Sequence, residues 1–213
     1  MNPLRLLIAD DHAVVRAGLR ALLESRKGWE VCAEASDGRD AVEKALKFKP
    51  DILILDIGMP SLNGVEAARR IHKSLPDSEI LILTMHESDE LVQQVVEAGA
   101  RGYILKDEAD RVLLAAIEAL SRHKPYFSTR VSEAADIADP QDSSKSSRSR
   151  LTPREREIVQ LLAEGKSNKE VATLLNISVN TAEAHRANIM LKLGFHSLAD
   201  LVLYAIRNKI IQP

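Results

Sequence analysis

The feature that most constrains this chain is an alternation. Five short aliphatic runs, LRLLIA (4–9), VCAEA (31–35), DILIL (51–55), EILILT (79–84) and GYIL (102–105), are separated by longer stretches of mixed polarity. The run at 51–55 has four aliphatic residues in succession, as a strand buried on both faces requires. The stretches near 12–25, 38–48, 63–74, 88–98 and 110–122 carry helical periodicity. In the first of them Val15, Leu19, Leu22 and Leu23 fall on one face. Strands and helices alternating at this spacing predict βαβ units, a parallel sheet and right-handed crossovers.

The alternation stops at ADPQDSSKSSRSR (138–150), which has no aliphatic residue after Ala138 and cannot pack a core. Beyond it the strand signal is gone. Thr152-Pro-Arg-Glu155 is a capping box with proline at the first helical position, and SNKE (167–170) repeats the pattern. The short helix opened there is expected to end near Leu175. NIS then makes a turn, with Ser178 as the next N-cap of a helix over 179–193. SLADLVLYAIRN closes the chain with an amphipathic stripe. Four short helices, two of them joined by a three-residue turn, predict a helix-turn-helix. The expected division is a first domain over 1–124, a linker over 125–150 and a second domain over 151–213.

Charge is distributed unevenly. Residues 1–127 hold 17 Lys+Arg against 21 Asp+Glu, and residues 151–213 hold 8 against 6. The mildly basic second domain permits nucleic-acid binding without requiring it. The one cysteine, Cys32, excludes an internal disulfide and a Cys-based zinc site, and reads as a small core residue. No apolar run approaches the roughly 20 residues that span a bilayer, and the N-terminus turns acidic too soon for a signal peptide, so a cytoplasmic location without membrane association is expected.

In an open parallel sheet, ligands bind beyond the carboxyl ends of the strands. Asp10 and Asp11 stand at the end of strand one, Asp56 at the end of strand three, Thr84 of strand four and Lys106 of strand five. A lone Asp there is a turn former, and Asp11 is also a candidate cap for the first helix. The conjunction on several strand ends points instead to one site. Clustered carboxylates repel one another unless a cation joins them. All-oxygen ligands favour Mg²⁺, or Mn²⁺ in its place. An aspartate so placed can act as a nucleophile and form an acyl phosphate.

LLIADDH, LDIGMP and GYILKD make the stretch 4–122 resemble a response-regulator receiver domain, and LTPREREIVQLLAEGKSNKEVATLLNIS makes the region from Leu151 to about Ile211 resemble a LuxR-type helix-turn-helix. Together they resemble a two-component response regulator of the NarL/FixJ type. The resemblance implies an α/β flavodoxin-like receiver, with a five-stranded parallel sheet in the order 2-1-3-4-5, followed by a small all-α four-helix domain. It implies Asp56 as phosphoacceptor, Mg²⁺ on Asp10, Asp11, Asp56 and the Gly58 carbonyl, and Lys106 paired with the phosphoryl group. Thr84 would bond to that group on activation and Tyr103 would rotate inward, with Pro60 setting the loop. Asp107 stands where many receivers have proline. The implied partners are a sensor histidine kinase, double-stranded DNA, and a second copy when the protein is phosphorylated or DNA-bound.

Ile177, Ala182, His185 and Ile189 are expected to face the core of the second domain. Asn168, Lys169, Ser178, Asn180, Thr181, Glu183, Ala184, Arg186, Ala187, Asn188 and Lys192 are the candidate DNA contacts, with Lys169, Thr181, Arg186 and Lys192 suited to phosphates. TAEAH departs from the family's usual Thr-Val-Lys-x-His or Thr-Val-Glu-x-His. It leaves a base-facing surface poor in donors, although Glu183 can accept from a cytosine amino group and the alanines can touch thymine methyls. The last helix matches the family's dimerisation helix through Leu198, Leu201, Val202 and Ala205, a stripe that a core-packed helix shows equally. Two rival functions follow from the same residues. A metal-dependent phosphatase of the haloacid-dehalogenase kind needs a second Asp two residues after the nucleophile, where this chain has Gly58; self-dephosphorylation is expected only as slow timing. An adaptor that no longer reads DNA is the other. The unphosphorylated receiver is expected to cover part of the 179–193 helix, an expectation that fails if isolated 151–213 binds DNA no better than the unmodified full chain.

Overall fold

The computed structural model describes residues 3–85, 89–127, 151–195 and 197–211. The chain divides into two compact units, 1–138 and 139–213.

In the first unit the elements run β1 (Leu4–Ala9), α1 (Ala13–Glu24), β2 (Trp29–Ala35), α2 (Gly38–Phe48), β3 (Ile52–Asp56), α3 (Gly64–Ser74), β4 (Glu79–Thr84), α4 (Asp89–Glu97), β5 (Gly102–Leu105), α5 (Ala109–Leu120) and β6 (Tyr126–Phe127). All strand pairs are parallel, in the order β2-β1-β3-β4-β5-β6. The expected order is present, and the expected strand count is corrected from five to six. The extra strand is two residues long and lies at the start of the stretch expected to be linker. Two residues show no periodicity, so β6 exists only because β5 offers an edge to pair with. The remainder of the expected linker, 128–150, lies outside the described residues.

Alternate residues of each strand feed opposite layers. Leu7, Leu53, Leu55, Ile80, Ile82 and Tyr103 pack with α2, α3 and α4. Leu6, Ile8, Ile52, Ile54, Leu81, Leu83 and Ile104 pack with α1 and α5. Both faces are covered, which is why the runs are continuously apolar rather than alternating. Cys32 departs from its expected core position. The register of β1 on β2 slips between Leu6 and Leu7, so that Cys32 is passed over, half-buried, with its thiol donating to the Leu6 carbonyl at 3.3 Å. Burial pushes that thiol's pKa up, away from the reactive thiolate.

The second unit consists of α6 (Pro153–Ala163), α7 (Asn168–Leu175), α8 (Val179–Leu193) and α9 (Leu198–Arg207). Both expected capping boxes are formed. The Thr152 hydroxyl accepts from Glu155 N–H at 3.2 Å while Glu155 accepts from Thr152 N–H at 2.7 Å. Ser167 and Glu170 do the same, and Ser197 with Asp200 makes a third box. Asn176, in the left-handed region at φ 52°, ends α7, and Ser178 caps α8 by accepting from Thr181 N–H at 3.0 Å. Thr152→Ala is expected to lower the stability of this domain by about 1 kcal/mol, read from its denaturant midpoint.

Candidate functional site

Asp10 follows β1, Asp56 ends β3, Thr84 ends β4 and Lys106 follows β5, so four neighbouring strands deliver these groups to one edge of the sheet. Asp10 and Asp56 are almost wholly buried, at 1% and 2% exposure. Lys106 Nζ lies 2.7 Å from Asp10 Oδ2 and 3.1 Å from Asp56 Oδ1. One ammonium thus stands between two carboxylates, and Asp10 Oδ2 and both Asp56 oxygens lack a well-aligned hydrogen bond. Buried carboxylate oxygens in that condition need a further partner.

The electrostatics follow from that count. Burial raises the Asp56 carboxyl above the ordinary 3.8; the Lys106 charge pulls it down, Asp10 pushes it up, and hydrogen bonding from Lys106 and the Gly58 N–H lowers it, with a net upward result. Burial acts to lower the Lys106 pKa, and the two carboxylates more than reverse this, so it stands above the ordinary 10.5. A single cation cannot neutralise both acids. The folded protein therefore holds the Asp56 proton more tightly than the unfolded chain does. Ionising Asp56 costs stability, and the cost develops as pH rises from about 3.8 through the folded value. Lys106 contributes the opposite way: its stabilisation is complete below 10.5 and is lost as pH climbs through its folded value. Asp56→Asn, which leaves Lys106 its shorter contact with Asp10, is expected to raise the receiver's melting temperature at neutral pH. A melting series should show that advantage vanish toward pH 3.8.

The loop after Asp56 is held from both ends. Gly64 N–H donates to the Ile57 carbonyl at 3.0 Å, and the Asn63 side chain, 2% exposed, caps α3 by accepting from Glu66 N–H at 2.9 Å. Ser61 takes φ 66°, and Pro60 is exposed at the turn. Thr84 is buried at 3% exposure, and Tyr103 is fully buried on the α2–α4 side, already directed inward.

Two residues were not foreseen. His12 joins Asp10, Asp11 and Asp56, with a ligand atom from each lying within 4.8 Å of the others. Its Nδ1 is 2.7 Å from Asp11 Oδ1 and 3.1 Å from Asp10 Oδ1. The adjacency to two aspartates was its signal, hidden by the absence of any metal-ligand spacing. Gly64 is the other. A side chain there would run into the Asp56 carbonyl, so only glycine lets α3 start this close to the acidic strand end. The expected capping role of Asp11 is corrected. His12 occupies the N-cap without a side-chain cap bond, its N–H donates to Asp10 Oδ1 at 2.8 Å, and Asp11 is the exposed member of the cluster.

In the helical unit Ala182 and Ile189 are buried and Ile177 and His185 half-buried, as the expected core face requires. Lys169, Ser178, Asn180, Thr181, Glu183, Ala184, Ala187, Asn188 and Lys192 are exposed, and Asn168 and Arg186 are half-buried. Three of these residues, Lys192, Ser178 and Thr181, are engaged within the domain. Lys192 Nζ pairs with Glu155 at 2.7 Å, and the Ser178 hydroxyl, besides capping α8, bonds the Thr181 hydroxyl at 2.8 Å. On α9 the stripe divides. Leu201 and Ala205 are fully buried in the domain's own core, Val202 is half-buried, and Leu198 is 42% exposed. Leu201 and Ala205 are therefore core residues and not surface available to a second copy. The exposed large apolar groups of α9 are Leu198 and Leu203, the latter at 51%.

A doubly covered parallel sheet with an Asp–Asp–Lys cluster at its carboxyl edge, carried with a capped helix-turn-helix, defines a phosphorylation-responsive regulator of transcription. Residues 6–118 match the response regulator receiver domain, and residues 149–205 match the bacterial regulatory proteins of the luxR family. The chain is 39% identical over 220 residues to the oxygen regulatory protein NreC of Staphylococcus aureus, covering 98% of this chain and all of that one. It is similar to RcsB from Salmonella enterica serovar Typhimurium bound to promoter rprA in the presence of the phosphomimetic BeF₃⁻, at 28% identity and a TM-score of 0.64, over 95% of this chain and 98% of that one. It is also similar to RcsB in a structure of two dimers bound to two parallel DNAs, at 29% identity and a TM-score of 0.59, with the same coverage. The chain belongs to the LuxR-family response regulators: it is a phosphorylation-controlled transcription regulator and not a metabolic enzyme.

Proposed function

We propose that Asp56 is the phosphoacceptor of a sensor histidine kinase, and that its phosphorylation controls binding of α8 to specific DNA. The observation that carries this is the buried Asp56 carboxylate, short of well-aligned hydrogen bonds, 3.1 Å from Lys106 Nζ at the open edge of the sheet. An Asp56 oxygen attacks the phosphorus, the bond from phosphorus to the kinase histidine nitrogen breaks, and the imidazole leaves. Lys106 supplies positive charge for the new phosphoryl oxygens. Asp10, Asp11 and Asp56, with the Gly58 carbonyl, suit Mg²⁺ or Mn²⁺, an assignment supported by the under-bonded buried carboxylates. When bound, that ion neutralises charge on the phosphoryl group. Thr84 and Tyr103, on neighbouring buried strands, respond to the new charge and shift a two-state equilibrium. Slow hydrolysis of the acyl phosphate resets the switch.

On the DNA side, the N-terminal half of α8 enters the major groove. Asn180, Glu183, Ala184, Ala187 and Asn188 face bases there, and Lys169, Thr181 and Arg186 face phosphates. Asn168 supports the turn, Ser178 orients α8, and Lys192 reaches phosphate only by leaving Glu155. The RcsB dimers bound to DNA support pairing of this protein as well, and the exposed Leu198 supports α9 as the pairing face. The receiver, counted with β6, extends to 127, and the helical domain begins at 151. The protein works in the cytoplasm, and among the described residues no single helix is long and apolar enough to cross a membrane.

The test is selection from random duplex DNA by the full chain, with and without a small phosphodonor. Enrichment of one sequence family, strengthened by the donor, is the expected result. No enrichment in either state favours the adaptor reading, whose motive is the donor-poor TAEAH surface.

A further inference from the structure

His12 brings a nitrogen donor to the carboxylates at the strand ends. It follows Asp10 and Asp11 directly, between the end of β1 and the start of α1. Its backbone N–H donates to Asp10 Oδ1 at 2.8 Å, which turns the residue back over the strand end. The ring Nδ1 then stands 2.7 Å from Asp11 Oδ1 and 3.1 Å from Asp10 Oδ1. Lys106 takes the other Asp10 oxygen at 2.7 Å, so Oδ1 is the one turned to the ring.

These separations are those of ligands around one ion. Neighbouring ligands of an octahedral ion with bonds of about 2.1 Å lie about 3.0 Å apart, and opposite ligands about 4.2 Å apart. Nδ1 stands near the neighbouring-ligand spacing from one oxygen of each adjacent aspartate. One ligand atom from each of Asp10, Asp11, His12 and Asp56 lies within 4.8 Å of the others. The buried carboxylates point to an ion independently, because Asp10 Oδ2 and both Asp56 oxygens lack a well-aligned hydrogen bond. The His12 side chain is 57% exposed, so the neutral ring can carry its proton on Nε2 toward water and leave the Nδ1 lone pair for the ion. A ring that only donates a hydrogen bond to the carboxylates fits the same distances. The two roles part in their effect on ion choice.

We propose that His12 Nδ1 is a ligand of the ion held by Asp10, Asp11 and Asp56, and that it biases the receiver toward transition ions over Mg²⁺. This rests on the reading that these carboxylates hold a divalent cation. Carboxylate, carbonyl and water ligands suit Mg²⁺, whereas an imidazole nitrogen adds affinity for first-row ions, rising from Mn²⁺ through Co²⁺ to Ni²⁺.

Calorimetric titration of the full chain with Mg²⁺ alone and with Ni²⁺ alone tests it. His12→Ala is expected to weaken Ni²⁺ binding about tenfold or more and to change Mg²⁺ binding by no more than about twofold. His12→Asn keeps a hydrogen-bond donor for the carboxylates and offers no imidazole nitrogen, so it should lose Ni²⁺ affinity as His12→Ala does. Recovery of Ni²⁺ binding in His12→Asn, an equal loss for both ions in His12→Ala, or no loss for either overturns the proposal. Asp56→Asn shows where the ions bind, since it should weaken both. If it weakens neither, the reading of a metal at the strand ends has failed and this inference falls with it. If it weakens both while the His12 variants do not discriminate between the ions, that reading stands and this inference alone is overturned.

Discussion

Asp56→Asn is expected to take no phosphoryl group from acetyl phosphate under conditions in which the wild type gains a single adduct, with intact mass as the readout. The effect should be complete and not graded. An amide nitrogen or oxygen in place of the carboxylate removes the nucleophile, and Asp10 cannot substitute. Its Oδ2 is engaged with Lys106 at 2.7 Å, and its Oδ1 lies 2.8 Å from His12 N–H. Chelation of divalent ions should abolish the wild-type adduct as well, because three carboxylates and an incoming phosphoryl group then share only one lysine. The variant should stay folded, since the substitution relieves a buried charge that Lys106 only half neutralises. An adduct of equal yield on Asp56→Asn would place the acceptor elsewhere and remove the basis of the proposed switch.

Gly64→Ala should strongly destabilise the receiver. The added Cβ would run into the Asp56 carbonyl oxygen, standing 2.8 Å from its carbon and 3.0 Å from Ile57 Cα. Those neighbours are backbone atoms of a buried strand end and cannot swing aside as a flexible side chain can. Either α3 moves off the sheet or the phosphoacceptor loop is displaced, and both cost about 3 kcal/mol. Urea unfolding would show this as a lower midpoint of the receiver transition, together with a slower phosphorylation rate. Gly18→Ala is the control, because nothing lies within 4 Å of a Cβ placed there in the middle of α1. It should stabilise by about 0.5–1 kcal/mol. Equal effects from the two alanines would mean that the close approach of α3 to Asp56 carries no weight.

Most of the acidic site was legible in the chain, because a parallel sheet makes strand ends predictable. Once the run 51–55 is a strand buried on both faces, Asp56 must lie at the carboxyl edge, and the same holds for Asp10, Thr84 and Lys106. His12 was not legible, since its place in the cluster depends on a ring orientation and not on spacing. Gly64 was not either, because a glycine at the first turn of a helix looks unremarkable until a carbonyl from another element is set against it. On the helical side, the capping boxes at Thr152 and Ser167 were local and could be read directly. The direction of the α9 stripe could not, since Leu198, Leu201, Val202 and Ala205 present the same pattern to a domain core and to a second copy.

The sequence by itself determined the alternation of strands and helices, the capping-box helix starts at Thr152 and Ser167 and the strand-end chemistry, since each depends on contacts within a few residues or on the rule that parallel strands all point one way. Only the tertiary structure decided the sixth strand, the placing of one lysine between two carboxylates, the enforced glycine beneath Asp56 and the burial of Leu201 and Ala205. Each of those depends on which groups from distant parts of the chain meet, and residue spacing along a chain does not encode that distance.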